Sequence, residues 1–175
     1  MLHQPRSGSI LKTLPRPCLR GARLGKNHRV HLLSAMTHRE GATIAQANVD
    51  TKTNEITGFR PLLEPLDLTD VVVTADALHT QREHARWLVQ ERGAHYVTGL
   101  KENQPSLAAA ARELLADRPV VYETHDRGHG RMEHRYFQVA DVPTELATKL
   151  GFPSASHGHF QSPIAIGGIP SKSRV

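Results

Sequence analysis

The run Val71-Val72-Val73-Thr74-Ala75-Asp76-Ala77-Leu78-His79-Thr80 passes from continuous apolar sequence into a carboxylate. A half-exposed strand would alternate apolar and polar residues, so the unbroken Val/Ala stretch between Asp70 and Asp76 predicts a short strand buried on both faces. Asp76 then stands at the strand's carboxyl end. In open α/β sheets that edge is where ligands and metal ions collect, because the loop leaving each strand is free to shape a crevice. A carboxylate there is a candidate metal ligand, and equally a residue that only ends the strand by turn chemistry.

Downstream, Thr80 with Glu83 three residues later is a capping-box pattern, and Ala85, Leu88 and Val89 give the apolar face of a helix that stops at Gly93. His95-Tyr96-Val97-Thr98-Gly99-Leu100 reads as the next strand. Strand, helix and strand in this order predict a βαβ crossover, with the strands parallel and Asp76 and Lys101 leaving the same edge of the sheet. Pro105 opens a further helix with the stripe Leu107, Ala110, Ala111, Leu114 and Leu115. Residues 120–123 and 135–139 then predict strands flanking a polar, glycine-bearing segment, 124–134.

Upstream, residues 30–36 and 42–49 predict a hairpin, the second run alternating so that one of its faces is solvated. Asn54 is placed to cap a helix whose buried stripe is Ile56, Phe59, Leu62, Leu63 and Leu66, although Gly58 and Pro61 oppose a regular helix. Residues 1–29 contain Pro5, Gly8, Pro15, Pro17, Gly21 and Gly25 and show neither period. The expected organisation is an irregular basic segment over 1–29, an α/β domain over 30–153 and an unstructured tail over 154–175. The fold class is α/β: an antiparallel hairpin followed by parallel strands with crossover helices and disordered ends.

At 175 residues the chain is long enough for one domain with a core. Its single Cys18 excludes a disulfide framework and any site built on several cysteines. No run approaches the about 18 apolar residues that span a bilayer, and the expectation is a soluble, cytoplasmic protein. The net charge of +5 is uneven: residues 1–39 hold eight basic and no acidic residues, and three more bases follow Glu145 with no acid. All 17 acidic residues therefore share positions 40–145 with the remaining 11 bases. The basic character that would suggest a nucleic-acid partner belongs to the ends rather than to the expected folded body.

Four ordered motifs carry a resemblance: Thr74-Ala75-Asp76-Ala77-Leu78-His79-Thr80-Gln81, Gly93-Ala94-His95-Tyr96, Leu100-Lys101-Glu102-Asn103-Gln104-Pro105, and His129-Gly130-Arg131-Met132-Glu133. Over about 19–153 the chain resembles the catalytic region of bacterial insertion-sequence transposases, in the branch of the H-repeat-associated proteins. The resemblance implies a ribonuclease H-like mixed sheet and an Asp-Asp-Glu triad that binds two Mg²⁺ ions. It implies DNA as partner, namely the ends of an insertion element, and leaves a homo-oligomer open as a partner state. Asp76 matches the second acid and Glu133 the third, as catalytic and metal-binding residues. Such enzymes cut and rejoin phosphodiester bonds by in-line attack, with the two ions stabilising the attacking and leaving oxygens. Mg²⁺ takes oxygen ligands, so acids from separate elements must converge.

The first acid of the family pattern is missing. The motif Asp-Gly-Lys-Thr-Leu-Arg-Gly survives only as Leu19-Arg20-Gly21, and counting back places Pro15 at the Asp position. The first acidic residue in the chain is Glu40. The resemblance also stops near Pro153, which reads as a remnant whose frame shifts on both sides of a preserved centre. A site loosened by even about 1 Å loses roughly 100-fold in rate, so a chain with two acids is expected to be an inactive transposase.

Lys101, Asn103 and Gln104 leave a strand on the catalytic edge as candidate DNA contacts, or form a polar strand-to-helix loop with Asn103 or Gln104 capping. Arg131 and Arg135, with Arg127 nearby, are candidate phosphate contacts. Two rival functions stand beside the transposase: a DNA-binding or subunit-interaction module without catalysis, and a metal-dependent nuclease using Asp76 and Glu133 alone.

Overall fold

A computed structural model describes residues 10–16, 23–24, 28–29, 31–49, 52–101, 104–128, 131–153, 164–167 and 173–174. The chain divides into two compact units, Met1–Gly99 and Leu100–Val175. No helix among the described residues is long and apolar enough to cross a membrane.

The first unit is built on a five-stranded mixed sheet. Its strands are β1 (Ile10–Arg16), β4 (His31–Thr37), β5 (Thr43–Val49), β6 (Val72–Ala75) and β7 (His95–Thr98), in the order β5-β4-β1-β6-β7. Two short strands, β2 (Arg23–Leu24) and β3 (His28–Arg29), pair with each other apart from it. β1 runs antiparallel to β4, with Leu11 opposite Thr37 and Arg16 opposite Leu32, and parallel to β6, with Lys12 opposite Thr74. The parallel pairing of β6 with β7 is the predicted crossover.

β1 corrects the expectation of irregular chain over 1–29, because residues 10–16 form the central strand. Leu11 and Thr13 are buried while Lys12 between them is exposed, the alternation of a strand with one face on the core. The Thr13 hydroxyl donates to the Thr74 carbonyl at 3.3 Å. Only a few residues carry this period before Pro15, which is why the surrounding Pro and Gly outweighed it.

The predicted hairpin of β4 and β5 is present, with an extra residue. Ala35 pairs with Ala45 and Met36 with Thr43, leaving Ile44 between them as a bulge. The bulge changes which parity faces inward, so both Ile44 and Val49 are buried. β6 is buried chiefly on one side, through Val73, while Val72, Thr74 and Ala75 are half-buried; burial on both faces was too strong an expectation.

Helix α1 (Lys52–Leu63) packs on β4 and β5 through Phe59, Leu62 and Leu63. Its start precedes Asn54, which lies in the first turn rather than at the cap. Of the two residues that argued against a helix, Pro61 lies inside it, and Gly58 is where helix and sheet approach: a Cβ there would stand 2.8 Å from Val49 Cγ1. After β6 come a 3₁₀ turn (Ala77–His79), helix α2 (Arg82–Arg86) and a π turn (Trp87–Glu91), with Arg92 N–H bonded back to the Trp87 carbonyl at 3.1 Å. Trp87 is buried, and the guanidinium carbons of Arg60 and Arg92 lie 5.3 Å and 5.6 Å from its ring centre. The capping-box reading of Thr80 is corrected: Gln81 is the N-cap, and the Thr80 hydroxyl donates to the Gly99 carbonyl instead.

Beneath the turn that follows β6, His79 and His84 stack on Phe59, with ring centres 4.9 Å and 4.3 Å away. His84 Nε2 sits 3.1 Å from the Ile56 carbonyl, which makes it the protonated nitrogen of that ring. Neither ring nitrogen of the buried His79 has a hydrogen-bond partner among the described residues. Burial pushes the His79 pKa down to about 4, the neighbouring His84 adds to this and Asp76 opposes it; burial also lowers His84.

The second unit holds α3 (Pro105–Leu115), the hairpin β8 (Val120–Gly128) and β9 (Arg131–Ala140), and α4 (Thr144–Leu150). Gly151, at φ +72°, ends α4 in the left-handed conformation that favours glycine. Gln138 ties β9 to the end of α3, its amide donating to the carbonyls of Leu115 (3.2 Å) and Arg118 (2.5 Å). β8 and β9 continue through the segment expected to be polar loop, since cross-strand pairing tolerates the His, Arg and Asp residues there. β10 (Ile164–Gly167) and β11 (Ser173–Arg174) pair antiparallel with β9, correcting the expectation of an unstructured tail at those positions. The short Ile164-Ala165-Ile166 run shows no period until it meets a partner strand.

Two outcomes are expected. Leu11→Ala should destabilise the chain by about 2–5 kcal/mol in urea unfolding, because it empties a core site; a loss near zero would mean β1 is not part of the sheet. The native state holds His79 and His84 below their unfolded pKa, so it binds fewer protons than the unfolded chain. Stability is then full above the ordinary histidine pKa and falls as pH drops toward the lowered values. The urea midpoint should fall from about pH 7.5 to about pH 5, with a shallower decline in His79→Phe.

Candidate functional site

Asp76 occupies the predicted place, one residue beyond the end of β6. Its side chain is exposed, and one carboxylate oxygen accepts the Ala77 N–H at 2.6 Å, capping the 3₁₀ turn. Turn chemistry is thus part of its role. Next to it, Gly99 N–H donates to the Ala75 carbonyl at 3.3 Å, and a Cβ on Gly99 would stand 3.3 Å from the Ala77 nitrogen. Together with the Thr80 bond to Gly99, this holds the ends of β6 and β7 against each other and fixes where Asp76 leaves the sheet. On β7, burial pushes the Tyr96 hydroxyl up to about 12, so it stays protonated.

The strand beside β6 is β1, and continuing their parallel register brings Leu14 level with Asp76 and Pro15 one step beyond. A carboxylate there would be placed to share an ion with Asp76, yet the sequence of β1, Ile-Leu-Lys-Thr-Leu-Pro-Arg, has none. Among the described residues no three His, Cys, Asp or Glu side chains come together as a group able to hold a metal. The residues present do not fit a carboxylate-bridged two-metal centre.

The other expected site residues lie in the second unit. Glu133 is on β9, paired in register with Asp126 of β8. Arg131 and Arg135 are on the same strand at the same parity as Glu133; Arg135 is exposed. Lys101 is exposed three residues after β7. Gln104 stands at the N-cap of α3 without a side-chain cap bond, and its backbone N–H bonds the Lys101 carbonyl at 3.1 Å. Asn103 lies outside the described residues. The His79–Phe59–His84 stack escaped sequence reading because His79 and His84 fall on a turn and a helix, where no single period relates them.

The sequence matches the family described as "Transposase DDE domain" over residues 19–152. It is 33% identical over 123 residues to the "H repeat-associated putative transposase YbfD" of Escherichia coli K12, covering 67% of this chain and 48% of that protein. It is 35% identical over 162 residues to an uncharacterised protein in the dhlA 3′ region of Xanthobacter autotrophicus, covering 86% of this chain and 54% of that protein. That span exceeds residues 19–153, so similarity to this relative extends past at least one of the two boundaries where it was expected to stop. The chain spans about a third to a half of the length of these and related proteins. Among solved structures, a piggyBac transposase synaptic complex with hairpin DNA gives a TM-score of 0.49 at 15% identity, covering 75% of this chain and 31% of that one. That likeness is too distant to carry an argument, whereas the family match and the mixed sheet with its crossover do carry one. The chain has a ribonuclease H-like α/β fold and belongs to the DDE-domain transposases.

Proposed function

We propose that this chain is a transposase catalytic-domain segment that binds DNA without carrying out strand transfer. The observation behind this reading is that β1, the strand next to Asp76, contributes no carboxylate. Asp76 and Glu133 are the two acids the reading retains. Asp76 is supported by its place at a strand's carboxyl end, and Glu133 by its motif alone. Mg²⁺ is the ion such a triad would hold; with one acid replaced by Pro15, no catalytic step through it is assigned. Lys101, Asn103, Gln104, Arg131 and Arg135 are the proposed DNA contacts, the cations at phosphate oxygens and the amides at sugar or base edges. Self-association belongs to the same proposal.

Binding of the purified protein to duplex DNA carrying the element's ends should weaken steeply as salt is raised, and should persist when divalent ions are chelated. Lys101→Ala should weaken it and reduce the salt slope, as expected when one phosphate contact is lost. The same preparation incubated with Mg²⁺ should yield no joined or nicked product. Mg²⁺-dependent cleavage that disappears in Asp76→Ala would overturn the inactive reading, and nicking of unrelated DNA would favour a nuclease.

A further inference from the structure

The two faces of the β8–β9 hairpin are unlike. Gln138 is tied to the end of α3, and Ala140, two residues on at the same parity, is buried, so this parity faces the helix. The opposite parity carries Phe137 and Val139 on β9, with Tyr122 of β8 paired to Phe137 and Thr124 to Arg135. Apolar side chains on this face are not covered: Tyr122 is 61% exposed and Val139 37%. The Tyr122 and Phe137 rings have centres 5.7 Å apart and planes 43° apart, so Phe137 braces Tyr122 while most of the tyrosine stands in solvent. Arg135, also exposed, comes two residues before Phe137, a step of about 6.8 Å along the same face. The next register pair at this parity is Asp126 with Glu133, so the aromatic and basic patch ends at Arg135. Trp87, the one tryptophan of the chain, is buried and offers no comparable surface.

We propose that Tyr122, Phe137 and Arg135 form a stacking platform for the unpaired bases of single-stranded DNA, with Arg135 at the adjoining phosphate. The proposal rests on the DNA-binding reading above and names the form of DNA that this face takes. Every base has a π-face, so aromatic rings on an open strand face hold bases whatever their sequence, while a neighbouring cation follows the backbone. A duplex keeps its base faces stacked inside, so an exposed ring adds to binding only where bases are unpaired. The charge of Arg135 beside the rings suits a phosphodiester chain. Edge-to-edge pairing with a second copy is opposed by the extra residue at Val121, where the register shifts between Val120 and Tyr122, because a bulge turns an edge strand away from a new partner.

The test is fluorescence anisotropy of the full chain with a labelled oligothymidylate of about 12 nucleotides, its abasic counterpart and a duplex of the same length, on wild type, Tyr122→Leu and Tyr122→Phe. Wild type should bind the oligothymidylate saturably, and Tyr122→Leu should bind it roughly 5–150-fold more weakly, as expected for one lost base–aromatic stack. Tyr122→Phe keeps the ring and should match wild type. The abasic strand keeps its phosphates and should bind wild type and Tyr122→Leu equally, and Tyr122→Leu should leave duplex binding within about twofold. Ring-dependent binding of the single strand without duplex binding supports this site while overturning the duplex reading. Equal oligothymidylate binding by wild type and Tyr122→Leu, or no saturable binding by wild type, overturns the proposal. Dissociation of an oligomer in Tyr122→Leu with unchanged oligothymidylate affinity also overturns it and gives the face to a second copy. Should Tyr122→Leu lose its far-UV circular dichroism, photocrosslinking of wild type to an iodouracil-substituted strand decides: adducts at Tyr122 or Phe137 support the platform, and adducts confined to other residues overturn it.

Discussion

The parallel pairing of β1 with β6 is the constraint on which the first unit depends. It joins an antiparallel three-strand half, β5-β4-β1, to a parallel half, β1-β6-β7, and it lines up Leu11 with Val73 at the floor of the core. Both residues are fully buried, together with Leu33, Phe59 and Leu63, and each such side chain contributes about 1.5–3 kcal/mol over its exposed state. A strand in the middle of a sheet must satisfy backbone groups on both sides. β1 pairs with β4 from Leu11 to Arg16 and with β6 from Ile10 to Lys12, and Pro15, which lacks a donor, falls beyond the registered β6 pairs.

The same pairing decides what the site contains. Asp76 leaves the sheet at an edge fixed by Thr80, Gly99 and Ala77, and the neighbouring strand passes it with leucine and proline. Fold and family are thus shown by features other than the carboxylates of this edge, to which β1 adds none. That separation is physically ordinary, because a strand is held by its inward residues and its backbone bonds, whereas a metal site depends on a few outward or terminal side chains.

Legibility in the sequence followed the length over which a pattern persists. The continuous apolar run of β6, the stripe of α1 and the proline-opened α3 each extend over enough residues to be read locally, as does the hairpin of β4 and β5. The placement of Asp76 at a strand end came from the same local signal. β1 and the strands at 164–167 and 173–174 were not legible, since each is short and acquires its pattern only from a distant partner. Gly58 misled for a related reason: its lack of a side chain serves contact with Val49, nine residues earlier on another element. The ladder position of Glu133 became visible only once the register of the hairpin was known.

The bond from Thr13 to Thr74 spans 61 positions, and β1 lies between strands that both come after it in the chain. On a ribosome adding about 5–20 residues each second, the central strand therefore emerges several seconds before its parallel partner exists. During that interval it can pair with β4 on one side only, and its other edge stays open to water, chaperones or a neighbouring nascent chain. Assembly of this sheet is consequently a closing event rather than a sequential one, limited by the search for a remote contact. The rate at which β6 is delivered, rather than the intrinsic strength of any strand, sets how long the chain is exposed to misassembly.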